Sequence, residues 1–308
     1  MQRLDGGASI PSHLADGIVA LGNFDGFHLG HQAVVARAIA WAKAEGRPAL
    51  VATFDPHPVR HFRPDTPAFR LTTLDQRERL FAAAGADAMV VFHFDGDLAA
   101  LTAEQFVADR LERNLRIGGV VTGEDFTFGH AKSGTVHTLA ARGPVHGFRA
   151  ETVGAVALDG ETVSSTRIRE ALRAGDMATA TRLLTRPFAI EGVVQHGDKL
   201  GRTIGYPTAN IDMGKYLRPA YGIYAVTGQL EDGRVLKGAA NLGIRPSFDP
   251  PKELLEPHFF DFAEDLYGRR IEVSLIDYLR PEAKFDGLDA LITQMDADCA
   301  RARTILAR

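Results

Sequence analysis

Two histidines three residues apart, His28 and His31, stand at the end of a glycine-rich stretch, Gly22-Asn23-Phe24-Asp25-Gly26-Phe27-His28-Leu29-Gly30-His31. Side chains at i and i+3 share one face of a helix, so the two imidazoles can meet one ligand. Gly22, Gly26 and Gly30 lack a Cβ and let backbone approach it closely. A helix begins here, so unpaired N–H groups and the positive end of the macrodipole point to the same place, which suits an anion, above all a phosphate. A zinc site needs a third protein ligand and none lies nearby. The plainer reading is an ordinary turn between strand and helix.

The elements around this stretch follow from apolar spacing. Ile18 to Leu21 reads as a strand, while Val34, Val35, Ala38, Ile39, Trp41 and Ala42 recur at helical spacing up to a C-terminal Gly46. A β-rich run from Pro48 to Phe54 ends in Asp55-Pro56-His57-Pro58, which puts Asp55 and His57 at the same strand edge. Strands are expected at Ala88–Phe94 and Gly118–Thr122, and helices at Asp75–Ala84 and Thr102–Arg113. Alternating strands and helices imply a parallel sheet, whose ligands bind beyond the carboxyl ends of the strands. Two more candidate stretches fall there: Gly123-Glu124-Asp125-Phe126-Thr127-Phe128-Gly129, and Ser164-Ser165-Thr166-Arg167-Ile168-Arg169. Serine and threonine at a helix start serve as caps, but Arg169 in the first turn opposes the dipole and makes more sense beside a phosphate.

With 308 residues and 45% hydrophobic content the chain can fill two cores. A net charge of −4 argues against a nucleic-acid or membrane footprint, and the one cysteine, Cys299, excludes an intrachain disulfide. No signal-peptide pattern and no run near 18 apolar residues is present, so a soluble, cytoplasmic protein is expected; a homo-oligomer is compatible with the sequence. No two glycines lie two residues apart, and no glycine pair five apart is followed by lysine. The dinucleotide fingerprint and the Walker A loop are therefore both absent.

His28-Leu29-Gly30-His31 resembles the His-x-Gly-His signature of the nucleotidylyltransferases. The whole stretch Gly22 to His31, together with Phe54-Asp55-Pro56-His57-Pro58, Gly123 to Gly129 and Ser164 to Arg169, resembles the adenylyltransferase module of the bacterial bifunctional riboflavin kinase/FAD synthetases. The resemblance implies a Rossmann-like α/β domain that transfers AMP from ATP to FMN. It also implies that His28, His31 and Arg169 stabilise phosphate charge, with Gly22, Phe24, Asp25, Asp55, His57, Asp125, Ser164 and Thr166 binding nucleotide or flavin. Phe62 and Phe128 become candidates to flank the flavin ring, with core packing the equal alternative.

The periodicity changes after Arg186-Pro187. Helical patterns run through Arg173 and from Asp176 to Leu184, after which Phe188–Val194, Tyr221–Leu230, Arg234–Ala240 and Ile271–Leu279 read as strands. Glu231-Asp232-Gly233 is a hairpin turn, and Asp286–Leu306 a terminal helix. An antiparallel barrel with a C-terminal helix is expected, with domains 1–186 and 187–308. Gly197, Lys199, Gly201, Arg202 and Gly205 lead to Tyr206-Pro207-Thr208-Ala209-Asn210, where Thr208 and Asn210 share a strand face and could hold one Mg²⁺ or one phosphate. A solvated hairpin loop is the alternative.

This stretch, Asn241 to Phe248 and Glu256 to Gly268 resemble the riboflavin kinase module of the same family. The resemblance implies Mg²⁺ and ATP contacts at Thr208 and Asn210 and a catalytic base at Glu256, with Glu253 second choice. Pro257 departs from the family pattern and suggests an edge strand. The substrates implied are riboflavin, FMN and ATP. An adenylyltransferase for another acceptor and a non-catalytic flavin-binding protein are the competing readings.

Overall fold

The computed structural model describes residues 1–196, 204–245 and 252–307. Two compact units emerge, one comprising Met1–Pro67 and Thr72–Ser164, the other Ala68–Leu71 and Ser165–Arg308.

The first unit is built on a six-stranded parallel sheet in the order β1–β4–β3–β2–β5–β6. The strands are β1 (Gln2–Asp5), β2 (Ile18–Leu21), β3 (Ala49–Asp55), β4 (Ala88–His93), β5 (Gly119–Gly123) and β6 (Arg149–Val153). Alternate residues of β2 and β3 go to opposite faces. Val19, Leu21, Leu50 and Ala52 join one buried cluster with Phe92, Phe106 and Leu111. Ile18, Ala20 and Val51 join another with Val35, Ala38 and Trp41 of the helix Leu29–Glu45. That helix ends at Gly46, whose φ of 65° is the left-handed turn expected there. β2 to β5 lie where apolar runs place them, whereas the polar edge strands β1 and β6 carry no such run. The expected helix over Thr102–Arg113 is a single turn, Ala103–Gln105, capped by Thr102 and continued by a wider π-helical stretch, Phe106–Asn114.

In the second unit, helices Ser165–Ala174 and Met177–Leu184 precede an antiparallel sheet of six strands, β7 (Phe188–Val193), β8 (Ile211–Asp212), β9 (Gly222–Leu230), β10 (Val235–Arg245), β11 (Lys252–Phe259) and β12 (Arg270–Arg280). Their order is β7–β12–β9–β10–β11–β8. The two ends are drawn together where Gln195 N–H donates to Asn210 O at 2.8 Å, so the sheet is a nearly closed barrel. The segment Ala68–Leu71 adds a bridge between Arg70 and Tyr216. The helix Leu288–Leu306 covers one face, packing Ala302 and Leu306 against Ala225, Ala239 and Leu279. Arg280 on β12 fastens that helix through Nε at 3.0 Å and Nη2 at 2.6 Å from Asp298. Pro257 lies inside β11, which pairs along its length with β10 and over two residues with β8, so it is not confined to a free edge. Among the described residues no helix is long and apolar enough to cross a membrane.

Candidate active sites

In the first unit, the loop after β2 is folded tightly by three residues with left-handed φ: Phe24 (49°), Gly26 (88°) and Phe27 (42°). Two buried rings anchor it, Phe24 and Phe27 packing edge-on against Phe81 at 5.9 and 5.0 Å. Asp25 is turned inward, accepting from Thr72 N–H at 3.0 Å, while Gly26 N–H donates to Thr72 Oγ1 at 2.9 Å. Asp25 therefore braces the loop from inside the protein.

His28 caps the helix Leu29–Glu45, its Nδ1 accepting from His31 N–H at 3.4 Å. Because Nδ1 is the acceptor, the neutral ring carries its proton on Nε2. The two imidazoles stack at 3.6 Å with an interplanar angle of 20°, and Phe24 meets His31 edge-on at 5.3 Å. Gly30 leaves room beside them, since a Cβ there would stand 3.3 Å from the His28 ring, closer than ordinary contact.

Arg77 was not among the expected residues, yet it holds the entrance to this loop. It is 3% exposed and donates from Nη1 to Thr53 Oγ1 at 2.8 Å and to Asn23 O at 3.1 Å. Thr53 Oγ1 donates to the same carbonyl at 2.8 Å, and Asp55 lies 3.7 Å from Arg77 Nη2 at the carboxyl end of β3. The signal available was weak: Arg77 lies one turn before Phe81 on the buried face of the helix Leu74–Ala84.

His57 caps the short helix Pro58–Phe62, its Nδ1 accepting from Val59 N–H at 3.2 Å. Phe62 is 66% exposed and touches Phe94 edge-on at 5.8 Å, so its ring is available to a planar ligand. Phe128 is different. It is 6% exposed, 5.4 Å from Phe106 and 5.9 Å from Phe126, and packs within the buried cluster on one face of the sheet. Gly22 follows β2 and Asp125 is exposed beyond β5, while Ser164 closes the first unit. Thr166 and Arg169 lie on the first helix of the second unit, where Arg169 Nε donates to Phe69 O at 2.9 Å and its guanidinium lies 5.2 Å from the Phe69 ring centre.

In the second unit, Gly197, Lys199, Gly201 and Arg202 lie outside the described residues. Gly205 has φ 85° and opens the stretch to Asn210. A cavity of about 380 Å³ lies between the barrel and its C-terminal helix, with Tyr206, Thr208, Asn241, Glu256, Arg280 and Asp298 in its wall. A second, of about 620 Å³, is lined by Val194, His196, Pro207, Thr208 and Tyr267, with His196 and Tyr267 rings 3.8 Å apart. Thr208 borders both. Asn210 is buried in the seam where the barrel closes.

Register explains how the first cavity is lined. Arg280 on β12 pairs with Ile223 on β9, Ile223 with Asn241 on β10, and Asn241 with Glu256 on β11, a row across four adjacent strands. Every member of the row lines the cavity. Glu253, an odd number of residues from Glu256, is engaged elsewhere, accepting from Arg218 Nε at 2.7 Å and from the Tyr221 hydroxyl. Tyr206 donates its hydroxyl to Asp296 on the C-terminal helix, a hydrogen bond that pushes the phenol up to about 12. Burial, with Asp298 and Asp296 nearby, pushes the cavity-lining Cys299 thiol up to about 11.

The chain matches two family models, FAD synthetase over residues 10–167 and riboflavin kinase over residues 184–306. The bifunctional riboflavin kinase/FMN adenylyltransferase of Escherichia coli (strain K12) is 39% identical over 93% of this chain and 91% of its own. Its namesake from Bacillus subtilis (strain 168) is 36% identical over 94% and 93% respectively. A solved structure described as a macrolide-efflux protein from Streptococcus pneumoniae aligns over 97% of both chains with a TM-score of 0.86 and 31% identity.

Proposed function

We infer the roles of individual residues from one premise: this chain belongs to the bifunctional riboflavin kinase/FMN adenylyltransferase family. It phosphorylates riboflavin to FMN with ATP, and adenylylates FMN to FAD with release of pyrophosphate. The adenylyltransferase domain is taken as residues 1–186 and the kinase domain as 187–308, divided at Arg186-Pro187.

For the kinase, the observation that carries the reading is the position of Glu256, in the wall of a cavity whose rim residue Thr208 also borders the second cavity. Riboflavin occupies the first and ATP the second, so the γ-phosphate arrives at the Thr208 side. Glu256 takes the proton of the ribityl 5′-hydroxyl as its oxygen bonds to the γ-phosphorus and the bond to ADP breaks. Thr208 and Asn210 offer neutral oxygen donors, which fit Mg²⁺ when phosphates and waters complete its shell. Bound there, Mg²⁺ would neutralise phosphate charge.

For adenylyl transfer no covalent nucleophile is needed, because the FMN phosphate is already an oxyanion. One of its oxygens bonds to the α-phosphorus of ATP as the bond to pyrophosphate breaks. His28 and His31 meet the phosphates, His28 through its Nε2–H, and the family resemblance assigns Arg169 the same charge-stabilising role. Phe62 is the aromatic surface for the flavin. A cytoplasmic location follows from the need for ATP.

Purified protein incubated with riboflavin, ATP and Mg²⁺, with the flavins separated by chromatography over time, tests the scheme. FMN appears first and FAD after it. FMN alone assigns the first unit another acceptor, and no product favours a flavin-binding protein.

A further inference from the structure

Asn241 stands directly opposite Glu256 in the strand register and lines the same cavity. Its Nδ2 donates to Glu282 Oε1 at 3.2 Å. Glu282 can lie there because residue 243 is glycine: a Cβ at Gly243 would come within 2.2 Å of that same oxygen. The amide is thereby oriented, since turning it over would set its oxygen against a carboxylate. Its Oδ1 is fully buried and has no hydrogen-bond donor among the described residues. A buried acceptor left without a donor is costly, and the cost disappears when a ligand supplies an N–H or O–H.

We propose that Asn241 Oδ1 accepts a hydrogen bond from the ribityl 4′-hydroxyl, the neighbour of the hydroxyl that Glu256 deprotonates, and so selects which hydroxyl is presented for phosphorylation. This rests on the kinase reading of the cavity. The geometry favours the adjacent hydroxyl because Asn241 and Glu256 are cross-strand partners, whose Cβ atoms stand about 5 Å apart, the separation that neighbouring hydroxyls of a polyol can bridge. Glu282 acts through Asn241 and is a positioning residue.

The test compares riboflavin with its analogue lacking the 4′-hydroxyl. In the wild-type protein the missing hydroxyl lowers kcat/KM for phosphorylation by about 10- to 100-fold, as expected when a site's acceptor is left unpaired. Asn241→Ala lowers kcat/KM for riboflavin by a similar factor, yet stays within about 2-fold of wild type on the analogue, because there is no hydrogen bond left to lose. FAD formation from added FMN is unchanged. An equal loss on both substrates, or none on either, overturns the proposal. Should Asn241→Ala turn over neither, Glu282→Ala, which leaves the amide in place but unheld, reads the same contrast, and an equal loss there also overturns it. A wild-type protein that phosphorylates neither flavin fails the kinase reading itself, and this proposal falls with it.

Discussion

Glu253 and Glu256 lie three residues apart on β11 and do unlike work: Glu253 is clasped by Arg218 and Tyr221, whereas Glu256 lines the cavity opposite Asn241. Glu256→Gln is expected to lower riboflavin phosphorylation by about 10² to 10⁴-fold while FAD formation from supplied FMN continues at its normal rate. Glu253→Gln keeps phosphorylation within several-fold of wild type and costs about 1 kcal/mol of stability. Rates of FMN formation in the two variants, beside urea melts, decide between the carboxylates.

His28 and His31 carry the opposite prediction. Replacing either by Ala lowers FAD formation by about 10²-fold, the usual consequence of losing one donor to a developing charge, and leaves riboflavin phosphorylation intact. His28→Asn separates cap from chemistry, since Asn restores an acceptor for the helix N–H. If His28→Asn recovered full FAD formation, the imidazole would be only a cap.

Arg77 fixes the carbonyl of Asn23 at the start of the histidine loop. Arg77→Met strips a donor from buried Thr53 and from the half-buried Asn23 and is expected to cost about 2–4 kcal/mol in chemical denaturation. FAD formation falls with it, because the loop loses its fixed entry, while phosphorylation of riboflavin is retained.

A pH effect is expected far from either reaction. His146 contacts Glu112 through Nδ1 at 2.6 Å and Glu104 through Nε2 at 3.1 Å, and Glu104 also accepts from Arg142 Nε at 2.6 Å. The hydrogen bond to Glu112, and after it Glu104, raise the imidazole above its ordinary value. The folded state then binds the proton more tightly than the unfolded chain. Its stabilisation is full below the unfolded value of about 6.5 and is lost as pH rises through the raised folded value. Glu104, drawn down to about 2 chiefly by Arg142, works in the other direction, losing its contribution only as pH falls from about 4.5 toward that value. Thermal melts from pH 5 to 9 should show a Tm that declines more steeply above about 6.5 in wild type than in His146→Gln. Parallel curves would remove His146 from the pH response.

How much could be read without coordinates depended on whether the determinant was local. β2 to β5 are apolar runs buried on both faces, and a run of that kind declares itself. β1 and β6 are polar edges that become strands only because a neighbour offers them hydrogen bonds. His28 and His31 were legible because their meaning lies in a spacing of three. Arg77 and Thr72 were not, since one polar residue on a helix or loop has no period. Phe62 and Phe128 show the converse limit: two aromatics in suggestive motifs lie one exposed and one buried, a difference that residue type does not carry. The row from Arg280 to Glu256 joins Ile223 to residues 18, 33 and 57 positions further along the chain, and its register includes shifts between Ile223 and Tyr224 and between Ala225 and Val226 that nothing in the sequence announces.

That row also sets a length. Adjacent strands lie about 4.8 Å apart, so the three steps from Glu256 to Arg280 span about 14 Å of wall whose graduations are fixed by backbone hydrogen bonds rather than by side-chain choice. On the kinase reading proposed above, a flavin seated toward the Arg280 end would reach Glu256 only if its polyol arm had the right extent. On that reading the barrel gauges its substrate as a calliper does, and a flavin whose arm stops short would enter the cavity, occupy it and inhibit, without bringing a hydroxyl to Glu256.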